Sequence, residues 1–243
     1  MITETLKKLA LKHTNAFANA PVTIGFLGDS VTNGCFEVYP AGEAGIHVVF
    51  EPEQGYPALL RRMLYTLYPQ TQINIINAGI SGDSAPGGLA RMDRDLLPHH
   101  PDLTIVCYGL NDSCNGDDGI PKYKDALVRI LRRLQDAGSE VILMTPQPIC
   151  TRVHSQLQGD VLRDLAGKLA ENFADGGFDR YMQAARQAAA ETGVPLCDVY
   201  AKWMAMHQNG VDITALLSNY LNHPTREMHH LFAWSLMDTI FGA

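Results

Sequence analysis

Five short apolar runs recur along the chain, at residues 22–27, 73–76, 103–108, 141–144 and 195–199, and helical periodicity fills much of the space around them. Tyr56, Leu59, Leu60, Met63, Leu64 and Leu67 make one helical stripe. Tyr123, Leu127, Ile130, Leu131 and Leu134 make another, and Met228, Leu231, Phe232, Ser235, Leu236, Thr239 and Ile240 a third. Strands separated by helices require right-handed crossovers and a parallel sheet covered on both faces. The expected fold class is therefore α/β, a three-layer α/β/α sandwich around a mostly parallel sheet. No linker-like tract interrupts the 243 residues, and 46% hydrophobic content suffices for a core, so residues 1–243 read as a single domain. Residues 36–54 and 151–177 lack clear periodicity. They read as loops that follow strand ends, placed either to shape a pocket or simply to cover the surface. Residues 1–20 read as an amphipathic helix with Leu6, Leu9, Ala10 and Phe17 on one side.

Charge and composition remove several function classes. A formal charge of -7 disfavours a nucleic-acid backbone or an anionic membrane as partner. No stretch is apolar and long enough to span a bilayer, and the charged N-terminal residues lack the apolar core of a signal peptide. The five scattered cysteines form no CxxC pair and fit a reducing compartment, which makes a cytoplasmic protein the expectation. Cys107, inside an apolar run, reads as a buried small hydrophobe. The histidine pairs His99-His100 and His229-His230 do not make a metal site, because chain neighbours rarely face one ion together; the second pair is expected to be solvated or at a cleft rim. Without a P-loop, or a GxGxxG after the first strand, no nucleotide cofactor is expected.

The first three strands each end in a polar turn. Gly28-Asp29-Ser30 follows the first, Asn77-Ala78-Gly79-Ile80-Ser81-Gly82 the second and Gly109-Leu110-Asn111-Asp112 the third. In a parallel sheet these turns share one edge, where open α/β sheets bind ligands. Asn222-His223-Pro224 precedes the last helix, with Thr225 as its N-cap, and puts a histidine in a loop able to reach the same edge. Each element alone is ordinary turn or cap chemistry. Together, in this order and strand context, they resemble the SGNH (GDSL-type) hydrolases, a family of esterases and acylhydrolases with a three-layer α/β/α sandwich.

The resemblance implies that Ser30 is the nucleophile and His223 the general base. It implies an oxyanion hole formed by the Ser30 N–H, the Gly79 N–H and the Asn111 side-chain amide. The chemistry suits these residue types. A serine hydroxyl needs a base of near-neutral pKa, a glycine N–H can be approached closely, and a neutral amide donates without fixing a counter-charge. Gly82-Asp83-Ser84 repeats the tripeptide but lies beyond its strand end, so Ser84 reads as loop structure. The family's usual Asp, three residues before the histidine, is Tyr220 here. Asn219, Asn222 and, further back, Asp212 are the nearby polar groups, and either Asn219 or a backbone carbonyl is expected to orient the imidazole. The implied function is a serine esterase working through an acyl-enzyme, on short acyl groups such as O-acetyl on a carbohydrate or small metabolite. Alternatives are a lysophospholipase or thioesterase, a non-catalytic carbohydrate- or ester-binding module on the same fold, and, on fold alone, a flavodoxin-like nucleotide binder.

Overall fold

The computed structural model describes residues 2–42 and 45–242. In chain order it forms α1 (Glu4–Thr14), β1 (Val22–Gly28), the single turn α2 (Ser30–Asn33), β2 (Cys35–Pro40), β3 (Ile46–Phe50), α3 (Tyr56–Leu67), β4 (Ile73–Gly79) and α4 (Ala85–Asp95). It continues with β5 (Leu103–Cys107), α5 (Ile120–Asp136), β6 (Glu140–Thr145), α6 (Asp160–Ala174), α7 (Gly177–Thr192), β7 (Leu196–Asp198), α8 (Val199–Gln208) and α9 (Arg226–Phe241).

Five strands make a parallel sheet in the order β4-β1-β5-β6-β7. The five apolar runs read from the sequence are these five strands. β5 is buried along its whole length and β6 almost so, the signature of a sheet covered on both faces. Helices α4, α5 and α7 pack together as one layer, and α3, α9 and α8 as another. The chain steps from β1 outward to β4, then returns past β1 to β5, so the order reverses at β1. A crevice opens at such a reversal, beyond the carboxyl ends of the strands. Strand register brings those ends level, with Gly28 beside Gly79 on one side and beside Cys107 on the other.

Three expectations change. Residues 36–54 are not an open loop: β2 and β3 form an antiparallel hairpin, whose tip at residues 43–44 lies outside the described residues. Val38, Tyr39, Ile46, Val48, Val49 and Phe50 supply β-branched and aromatic side chains, while the Gly- and Pro-rich composition of the turn masks them. Within residues 151–177, most of the second half is α6. Helix α1 ends at Thr14, so Phe17 is outside it and fully exposed, and Ala10 is exposed too. The buried side of α1 is Thr5, Leu9 and Lys12, whose Nζ donates to the Ala16 and Asn19 carbonyls that follow the helix. Among the described residues no helix is long and apolar enough to cross a membrane.

Ile105 in the centre of β5 has no exposed surface, whereas Phe17 contacts mostly water. Ile105→Ala is expected to cost about 2–5 kcal/mol in chemical denaturation. Phe17→Ala should stay within about 0.5 kcal/mol of wild type.

Candidate active site

Ser30 is the first residue of α2, two positions past the end of β1. Asp29 Oδ1 accepts the Val31 N–H at 3.0 Å and starts the turn, and Gly34, left-handed at φ 91°, ends it. A side chain at Gly28 would put Cβ 2.0 Å from Thr32 Oγ1, so only glycine lets the turn fold back onto the strand end. As the first helical residue, Ser30 has no intrahelical acceptor for its N–H, which makes no hydrogen bond among the described residues.

The structure brings His223 to this serine. Its Nε2 lies 3.0 Å from Ser30 Oγ, and its Nδ1 lies 2.7 Å from the Phe36 carbonyl oxygen. A carbonyl can only accept, so Nδ1 carries the proton and Nε2 is left bare to accept from the Ser30 hydroxyl. Both side chains are nearly enclosed, Ser30 at 3% and His223 at 5% exposure. Burial pushes the His223 pKa down to about 4, against the opposing pull of the Phe36 carbonyl and the Glu37 charge.

Asn219 does not orient the ring. Its Oδ1 accepts three backbone N–H groups, from Leu221 at 3.0 Å and from Asn222 and His223 at 2.9 Å, and its Nδ2 donates to Asn222 Oδ1. It shapes the loop that carries His223, and the backbone carbonyl of Phe36 holds the ring. Tyr220, at the position of the missing Asp, adopts a left-handed backbone at φ 53° and turns its ring onto His154, 4.0 Å away and nearly parallel. Gln147, just past β6, donates through Nε2 to the Asn222 carbonyl and steadies the same loop. Asp212 pairs with Arg152 rather than with His223.

The oxyanion donors expected on β4 and β5 differ in their availability. The Gly79 N–H is taken by Asn77 Oδ1 at 3.0 Å. Gly79 is glycine for another reason: a Cβ there would stand 2.4 Å from the Asn33 nitrogen, so its bareness lets β4 pack against α2. Three residues on, Gly82 has φ 79°, faces open space, and its N–H makes no hydrogen bond among the described residues. The signal that separates the two glycines was present in the sequence: an Asn two residues before Gly79 is placed to cap its amide. Asn111 Nδ2 spends one hydrogen on the Asp83 carbonyl at 2.8 Å and keeps the other. That bond ties the turn after β5 to the Ser81–Ser84 turn. Asp83 is braced in turn by Arg91, which also donates to the Gly28 carbonyl and to Tyr108 Oη. Ser84 is the N-cap residue of α4, and its side chain makes no cap hydrogen bond among the described residues. His230 is exposed, but His229 is wholly buried rather than at a rim. Its Nδ1 accepts the Tyr56 N–H at 3.1 Å, and its ring lies among Phe36, Tyr56 and Phe232.

Residues 26–231 match the GDSL-like lipase/acylhydrolase family, a span that takes in Ser30, Gly82, Asn111 and His223. The chain belongs to that family. Among curated proteins, an acetylxylan esterase of Geobacillus stearothermophilus is 28% identical over 130 residues, covering 50% of this chain and 58% of that protein. An arylesterase of Vibrio mimicus is 32% identical over 121 residues, covering 49% of this chain and 58% of that one. The chain thus spans somewhat over half the length of these relatives. A crystal structure of the Geobacillus acetylxylan esterase superposes with a TM-score of 0.66 at 22% identity, covering 90% of this chain and 94% of that one, which bears on the fold alone. In this chain the imidazole partner is a main-chain carbonyl, at Phe36, rather than the carboxylate that the sequence resemblance implies.

Because Asn219 Oδ1 satisfies three loop amides, Asn219→Ala leaves them without an acceptor. A loss of about 1–3 kcal/mol in unfolding free energy is expected from denaturant titration, whatever happens to activity. A variant as stable as wild type would contradict this role.

Proposed function

We propose that this GDSL-like protein is a serine esterase that hydrolyses short-chain carboxylic esters through an acyl-enzyme. The observation that carries the reading is the 3.0 Å contact from Ser30 Oγ to His223 Nε2, with the ring proton held at Nδ1 by Phe36. In the reaction, Nε2 accepts the hydroxyl proton as Oγ attacks the acyl carbonyl. The oxyanion is received by the Ser30 N–H, the Gly82 N–H and the free hydrogen of Asn111 Nδ2. On collapse the imidazolium returns its proton to the departing alkoxide, leaving the acyl group on Ser30. Water, deprotonated by the same nitrogen, then releases the acid and restores the serine.

The substrate class rests on similarity. Relatives named for acetylxylan and aryl esters support small acyl groups, with O-acetyl on a carbohydrate the favoured case. An Escherichia coli relative, 30% identical over 128 residues, is named as a thioesterase and lysophospholipase, and favours longer chains as the second reading.

Hydrolysis of p-nitrophenyl esters from acetyl to dodecanoyl tests the proposal. Activity is expected to be greatest at acetyl, to vanish in Ser30→Ala and to persist in Ser84→Ala. Asn111→Ala should lower kcat by about 10²–10³ with little change in KM. Since the base works only when unprotonated, and burial sets its pKa at about 4, kcat/KM should fall in acid through pH 4 and not through the ordinary histidine range. Full activity in Ser30→Ala would overturn the assignment, and an acid limb near 6.5 would contradict the lowering of the His223 pKa by burial.

A further inference from the structure

The carbonyl that holds His223 sits on a hairpin that, among the described residues, forms a sheet of its own apart from the five-stranded one. It also lies 187 residues from His223 in sequence. A carboxylate three residues before the histidine would travel with the histidine's own loop. A carbonyl on a separate hairpin must be fastened there by something else.

Arg226, three residues after His223 and the first residue of α9, makes that attachment. Its Nη1 and Nη2 donate to the two Glu37 oxygens at 2.6 and 3.0 Å. Its Nε and Nη2 donate to the two Glu51 oxygens at 2.8 and 2.7 Å. Its guanidinium carbon lies 4.4 Å from the centre of the Phe36 ring. Glu37 directly follows Phe36 on β2, and Glu51 directly follows β3, so one cation grips both strands. His223 and Arg226 therefore hold the hairpin at two points, the ring on Phe36 and the guanidinium on the flanking carboxylates. The fork geometry matters, since the planar guanidinium makes two bonds to each carboxylate, four in all, and an ammonium has only three hydrogens to give. Hydrogen bonding to Arg226 keeps both carboxyls below their usual range, so both stay charged at neutral pH. The cluster holds one more carboxylate than guanidinium. Its residual negative charge, closest through Glu37, favours the imidazolium that forms when Ser30 gives up its proton. The wholly buried His229 backs the Phe36 ring at a centroid distance of 5.0 Å.

We propose that Arg226, with Glu37 and Glu51, is a positioning residue for the catalytic histidine: it clamps the β2–β3 hairpin onto α9 and so holds the Phe36 carbonyl on His223 Nδ1. The kinetic consequence rests on the esterase reading above; the effect on the ring does not. The test compares wild type with Arg226→Ala, Arg226→Lys, Glu37→Gln and Glu51→Gln, in p-nitrophenyl acetate kinetics and in the NMR-detected exchange of the His223 Nδ1 proton with water. Misplacing a catalytic group by about 1 Å can cost around a hundredfold in rate, so Arg226→Ala should lower kcat at least tenfold with KM little changed. Arg226→Lys should recover part of the rate, and the Nδ1 proton should exchange faster in the same order as kcat falls. A merely structural role would reduce stability without moving kcat or exchange in the folded protein. Arg226→Ala that folds with wild-type kcat and exchange overturns the proposal. Should that variant fail to fold, wild-type values in both glutamine variants overturn it equally. Absence of ester hydrolysis in the wild type would sink the esterase reading instead, and proton exchange alone would then decide the clamp.

Discussion

One hydrogen bond, from His223 Nδ1–H to the Phe36 carbonyl, decides what the histidine can do. It fixes the tautomer, and the tautomer leaves Nε2 bare toward Ser30. A carboxylate in that place would fix the same tautomer and would also stabilise the imidazolium by direct charge. A carbonyl offers only its dipole, and burial works further against the charged ring. On the proposed mechanism, more of the barrier reduction then falls to the oxyanion donors and to the more distant negative charge beside Arg226. Tyr220 thus stands where the resemblance implies a carboxylate, and other elements supply what that carboxylate would. The β2–β3 hairpin supplies the acceptor, and Arg226 in the next helix bonds carboxylates on that hairpin.

The sheet makes this possible by bringing three strand ends to one level. Gly28 lies in register with Gly79 and with Cys107, so the turns after β1, β4 and β5 open at the same height in the crevice where strand order reverses. Close approach does the rest. Gly28 admits the α2 turn and Gly79 admits α2 against β4, while Arg91 and Asn111 lace the turn after β4 to its neighbours. His223 enters from the far end of the chain, on a loop whose amides are gathered by Asn219.

Much of this was legible in the sequence because periodicity and strand-end turns are local. All five sheet strands, the helices α3, α5 and α9 and the Thr225 cap follow from patterns within a few residues, while the pairing of His223 with Ser30 was implied by the family resemblance of the turns taken together. The acceptor for the imidazole was not legible to the level of a residue. Every residue carries a carbonyl, and nothing near Phe36 marks its own as special when the partner is 187 positions away. Asn219 lay at plausible spacing for the ring, but its oxygen was already committed to its own loop. Of the two glycines near the end of β4, Gly79 carried a local mark in Asn77, two residues before it, while the open, left-handed setting of Gly82 shows only in the fold. The hairpin was hidden by its glycine-rich tip, and His229 by the expectation that a histidine in a first helical turn faces water. Its burial depends on Phe36 and Tyr56, which arrive from elsewhere in the chain.

The most direct test of this account is the ¹⁵N NMR tautomer of the His223 ring in the wild-type protein near neutral pH. The account predicts a neutral ring with the proton on Nδ1 and an unprotonated Nε2. A ring protonated at Nε2, or one carrying both protons at neutral pH, would contradict it.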